Sequence, residues 1–142
     1  MAAYNKFEQF VEDLGSGVHI LTAAGGVLEV YLSNAAPSAS ADAVKADLAE
    51  ITNENGYTAP VDTVNTFSQT GGIGICGCTP SIEILAAGGT VGPFQYVVLQ
   101  NTTPTSPLDP LIAWWDHGSA VTLADGESFT INFAGSELFR IT

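Results

Sequence analysis

From Val61 to Thr142 the sequence is a succession of short apolar segments broken by turn residues every few positions, and no other feature constrains the fold as tightly. Candidate strands are Thr63 to Ser68, Ile73 to Cys78, Ile82 to Ala86, Phe94 to Asn101, Leu111 to Asp116, Ala120 to Leu123, Glu127 to Phe133 and Glu137 to Thr142. Strands this short and this closely spaced predict a mainly β domain of the β-sandwich or jelly-roll kind. Phe129, Ile131 and Phe133 alternate with Ser128, Thr130 and Asn132, which is the pattern of a half-buried strand. Asp125-Gly126 just before them predicts a hairpin turn.

The first half is more mixed. Phe7, Phe10, Val11 and Leu14 fall at i, i+3, i+4 and i+7 and predict a short amphipathic helix, with Asn5 as its cap, Glu8 three residues on and Gly15 at its end. From Gly17 to Ser33 the pattern reads as a hairpin around Gly25, with Leu28, Val30 and Leu32 on one face and Glu29 and Tyr31 on the other. Val44, Leu48 and Ile51 then predict a second short helix within "ADAVKADLAEIT". Nothing between these segments has the composition of a tether, so residues 1–142 are expected to form one domain, with residues 1–15 as an N-terminal helical arm.

Fifteen acidic residues face only Lys6, Lys45 and Arg140, a formal net charge of −12. Three dispersed cations cannot track a phosphate backbone, and the same deficit disfavours anionic lipid, so neither nucleic acid nor a membrane is an expected partner. No stretch has the basic-then-apolar pattern of a secretory signal or an apolar run of about 20 residues, and the expected site of synthesis is the cytoplasm. Cys76 and Cys78 are one glycine apart, too close for an ordinary zinc pair and awkward for a disulfide, and are read as packed thiols.

No familiar catalytic spacing is present. "TGGIGICGCTP" lacks the Lys-Ser/Thr ending of a phosphate loop, and its glycines are read as bulges or close strand contacts. His19 and His117 are the only histidines, with no GxSxG or HExxH motif to partner them. No twelve-residue calcium loop organises the acids. The expectation is a non-enzyme with no cofactor and no metal. Adjacent residues in a strand face opposite sides, so Trp114 and Trp115 cannot both enter one core. One of them is expected at or near the surface as an interface anchor; the alternatives are that both sheet faces are covered there, one by the N-terminal helix, or that the exposed ring is a platform for a sugar.

The segments "YNKFEQFVEDLGSGVHIL", "LEVYLSNAAPSASA", "LAEITNENGYTA", "GGTVGPFQYVVLQNTT" and "PLIAWWDHGSAVTLADGESFTINF" together resemble small virion proteins of tailed bacteriophages, of the capsid decoration or cement type. The resemblance runs over most of the chain. It implies a β-sandwich that binds the outer surface of a phage head through the major capsid protein and through further copies of itself, as a dimer or trimer, adding interface between capsomers. On that reading Phe7, Phe10, Trp114 and Trp115 are the partner-contact residues. The alternative is a carbohydrate- or receptor-binding module of a head fibre or tail. If the carboxylates cover the outward face, attachment should depend only weakly on salt.

Overall fold

The computed structural model describes residues 2–142. The chain forms a β-sandwich of three antiparallel sheets around one main core. Its elements are β1 (Tyr4–Lys6), α1 (Glu8–Gly15), β2 (Leu28–Ser33), β3 (Val61–Asp62), β4 (Thr66–Thr70) and β5 (Ile73–Gly77). They continue as β6 (Ser81–Leu85), β7 (Val91–Asn101), β8 (Leu111–Leu123), β9 (Ser128–Asn132) and β10 (Glu137–Ile141). A five-stranded sheet in the order β1-β8-β7-β2-β3 is one layer; β10-β5-β4 and the pair β6-β9 make up the other.

Register explains the packing. Val30 lies opposite Leu99, which lies opposite Ala113, and Leu32, Val97 and Trp115 form the next row. Successive side chains alternate between faces, so both rows point the same way and build the main core with Cys76, Ile82, Ile84, Ile131, Phe133 and Phe139 of the opposing sheets. Aromatic pairs bridge the layers: Trp115 to Phe133 at 6.0 Å and Phe94 to Phe129 at 4.9 Å. The intervening row, Tyr31, Val98 and Trp114, faces outward, where Phe7, Leu48 and Leu111 cover it as a smaller second core.

Several local expectations are corrected. The N-terminal arm is helical only over Glu8–Gly15: residues 4–6 pair with Ala113–Trp115 as an edge strand. Asn5 is therefore in a strand and Phe7 is the residue that precedes the helix, its N–H donating to Ile112 O at 3.1 Å. Only Leu28–Ser33 of the expected first hairpin is a strand. The chain before it is irregular because a distant side chain replaces a backbone partner: Asn65 Nδ2 donates to Leu21 O and Gly26 O, and Leu28 N–H donates to Asn65 Oδ1. The second helix reduces to a single 3-10 turn at Lys45–Asp47. There the Asp47 carboxylate accepts from Ala43 N and Val44 N, and Ile51 N donates to Leu32 O, which holds the chain extended along β2.

The segments 111–116 and 120–123 belong to one long strand. Tyr96 is opposite Asp116 and Phe94 opposite Val121, so residues 117–120 bulge outward between them. The turn at Asp125-Gly126 does not return β9 onto β8. Gly126 N and Ala86 N engage Ala86 O and Glu127 O respectively, and β9 crosses to pair with β6 in the opposite layer. Between β4 and β5, by contrast, a two-residue hairpin does form. Gly71 and Gly72 both have positive φ, +60° and +84°, the left-handed pair that such a turn requires.

Candidate functional site

The expected contact residues separate when placed in the fold. Phe7 and Phe10 are 0% and 3% exposed. Phe7 packs 4.6 Å from the Trp114 ring in the second core, and Phe10 packs edge-on against Phe139 at 5.4 Å in the main core. Their apolar stripe is consumed by the chain's own sheets, so neither can meet a partner in this fold. Trp115 faces inward and is also buried. Trp114, on the outward face, is half-buried, with Tyr96 beside it against the same second core. Of the four residues, Trp114 alone presents part of its side chain to solvent.

A cleft of about 290 Å³ opens on the other side of the tryptophan pair. Val97, Trp115 and Phe133 give it an apolar floor, His117 stands on the outward bulge of β8, and Phe129 through Asn132 form one wall. His117 sits edge-on to Phe129 with ring centres 5.4 Å apart. The place of His117 beside β9 depends on the bulge and on β9 crossing layers, which no local pattern encodes.

The other histidine lies elsewhere. His19 is 5% exposed, edge-on to Phe10 at 5.1 Å, with the Asn101 side-chain amide 3.2 Å from Nδ1. Burial pushes its imidazole down to about 4, against the opposing pull of the Asp13 carboxylate, so it is neutral at pH 7, with Nδ1 accepting from the amide. Its bonded neighbour is thus an amide rather than a hydroxyl or thiol that could act as a nucleophile. Cys76 is buried in the main core and Cys78 half-buried beside it; both are free thiols. Burial pushes the Cys76 thiol up to about 12 and the Cys78 thiol up to about 11, the Glu137 carboxylate adding to the second. Among the described residues, no group of three or more His, Cys, Asp or Glu is arranged to hold a metal ion.

The electrostatics leave little free positive charge. Lys45 Nζ pairs with Glu50 at 2.7 Å and stands 5.3 Å from the Tyr31 ring centre, and Arg140 forks onto Glu137 with bonds of 2.8 and 2.9 Å. Lys6 is exposed and has no acidic partner among the described residues.

No family model, curated protein or solved structure matches the chain.

Proposed function

We propose that the chain is a non-enzymatic structural protein of a phage virion, a decoration or cement protein that binds the outer surface of the head and stabilises capsomer contacts. Its partners are the major capsid protein and further copies of itself. The observation that carries this reading is where charge is missing. On a body of net charge −12, the three-stranded sheet ends in an open outer strand, Thr66–Thr70, that contains no charged residue. Soluble proteins ordinarily protect such an edge with Lys, Pro or a bulge, because unpaired backbone groups template pairing with another chain. An unprotected edge on an acidic, well-packed domain suits a protein whose work is to be joined to others. The half-buried Trp114 with Tyr96 supplies an aromatic anchor of the type enriched at interfaces.

The test is co-sedimentation of the purified protein with heads and, separately, with tails of the phage that encodes it. Saturable binding to heads, reduced at least tenfold by Trp114→Ala or by a charge placed in the open strand with Ser68→Lys, is the expected result. Recovery with tails alone, or no recovery with either particle, overturns the proposal.

A further inference from the structure

The cleft beside Trp115 runs along a second open strand edge. Phe129, Ile131 and Phe133 point into the sandwich while Thr130 and Asn132 point out, yet all five line it. Residues of both parities can border one cleft only if it follows the strand's edge. The hydrogen-bond phase agrees. Ala86 N donates to Glu127 O at one end of the β6–β9 ladder and Phe133 N to Pro80 O at the other. With the register Ile84 to Phe129 and Ile82 to Ile131, those odd-numbered residues of β9 bond to β6. The backbone N–H and C=O groups of Ser128, Thr130 and Asn132 therefore face away from β6, and no partner for them exists among the described residues.

The far wall is β8. β1 covers the outer edge of β8 only over Ala113–Trp115, Ala2 closes that end, and beyond it the bulge carrying His117 swings outward. At about 290 Å³ the space is at the lower bound of the roughly 300–1,000 Å³ typical of small-ligand clefts. Besides the side chains of His117, Thr130 and Asn132, it presents a row of main-chain donors and acceptors at two-residue spacing, which is the complement of an extended chain.

Pleat then dictates side chains. Inward residues of an added strand would fall on Trp115 and Phe133. Outward residues would lie beside Thr130, with Glu83 directly across from Thr130 on β6. Two strand spacings amount to about 10 Å, a gap that a Lys or Arg stem largely spans. Glu83 and Glu127 are exposed and neither has a cationic partner among the described residues. A second copy of β9 would bring its own Glu83 and Glu127 to the same edge on a body already at −12, so charge disfavours self-pairing.

We propose that the open edge of β9 is a receptor for an added β-strand, and that its occupant is an extended segment of a partner protein in which apolar residues alternate with Lys or Arg. The inference rests on the β6–β9 register and does not require the partner to be a capsid.

A synthetic probe, acetyl-Lys-Val-Lys-Leu-Lys-Val-Lys-amide, tests it by NMR titration and amide hydrogen exchange. Binding should slow exchange at Ser128, Thr130 and Asn132 and shift the Trp115 indole. Thr130→Pro removes an N–H that β6 does not use, so it should leave the thermal midpoint within a few degrees while weakening the probe at least tenfold. Glu83→Lys should weaken the Lys probe and strengthen its Glu-substituted counterpart. The proposal is overturned by equal binding to the Thr130→Pro protein, by equal binding of the acidic peptide, or by no shift at millimolar probe. A dimer lost on Thr130→Pro without probe binding would assign the edge to a second copy instead. Saccharides that shift Trp115 without protecting the three amides would assign the cleft to small ligands and likewise overturn it.

Discussion

Replacing Phe7 by alanine separates a core element from a docking arm. The side chain is fully buried, its ring lies 4.6 Å from Trp114 at an interplanar angle of 50°, and Tyr31, Leu48, Val98 and Leu111 complete its surroundings. Truncating a buried phenylalanine costs about 3–5 kcal/mol when the cavity cannot collapse. The aromatic contact accounts for roughly 0.5–1.5 kcal/mol of that. Collapse is restricted here because a sheet forms one side and the Phe7 N–H remains tied to Ile112 O. At about 2–4 °C per kcal/mol for a chain near this length, the thermal midpoint should fall by roughly 10 °C. Urea unfolding followed by tryptophan fluorescence should show a lower midpoint with an unchanged slope, as expected for lost stability without a change in the surface exposed. Val11→Ala is the internal control: it lies on the helix that Phe7 precedes, is 54% exposed, and should cost under about 0.5 kcal/mol. If Phe7→Ala costs less than about 1 kcal/mol and keeps native near-ultraviolet dichroism, residues 2–14 are a separable arm and their integration into the two cores is wrong.

Further outcomes concern His19, Asp47, Tyr57 and the two thiols. His19 titrates near 4 in the folded state and near 6.5 unfolded, so its contribution is fully present above about pH 6.5 and is lost as pH falls toward 4. His19→Gln should flatten the urea midpoint between those values, and an unchanged slope would refute the assignment. Asp47, whose carboxyl is held below its ordinary range by the Ala43 and Val44 amides, loses its contribution only in more acid solution and should leave a residual slope there. Tyr57→Phe removes the hydroxyl that accepts the buried Leu32 N–H at 2.8 Å, and should cost about 1–3 kcal/mol by chemical denaturation; a neutral effect would mean the amide finds another partner. With thiols pushed up to about 12 and about 11, Cys76 and Cys78 should resist a disulfide reagent at pH 8 until the chain unfolds, and rapid labelling of the native protein would contradict their burial.

What could be read from sequence was what alternation encodes. The strands from β4 to β10 are legible within a few residues because apolar segments are set off by turn residues, with a clear period of two in β6 and β9, and so is the separation of Trp114 from Trp115 onto opposite faces. The partner of each strand was not legible. Asp125-Gly126 looks like a hairpin and turns like one, but the chain beyond it bonds β6 rather than β8. Val44, Leu48 and Ile51 carry a helical spacing, yet each has a different tertiary claimant: a bridge to Pro110, the second core, and Leu32 O. Phe7, Phe10 and Val11 have the spacing of one helical stripe, yet Phe7 lies before the helix in the second core, Phe10 is in the main core and Val11 is exposed, a division that only the tertiary structure sets. The free edge of β9 was invisible for the same reason, since an edge is defined by the strand that is absent beside it.

The two open edges predict unequal responses to salt, and this contrast distinguishes their roles. β4 is an uncharged strand, and its three-stranded sheet carries only the Glu137–Arg140 pair, already neutralised internally. Contact there rests on backbone pairing and apolar burial, which ionic screening barely touches. β9 is also uncharged, but Glu83 and Glu127 flank it and find no cation within the described chain. Capture of a basic segment there depends on exposed charges separated by about a Debye length at 0.1 M salt, so raising salt to 0.5 M should weaken it severalfold. The head attachment proposed for β4 and Trp114 should change little over the same range. If attachment to heads falls with salt as steeply as capture of the basic probe, and Thr130→Pro abolishes both, then a single edge serves both functions and the assignment of head contact to β4 fails.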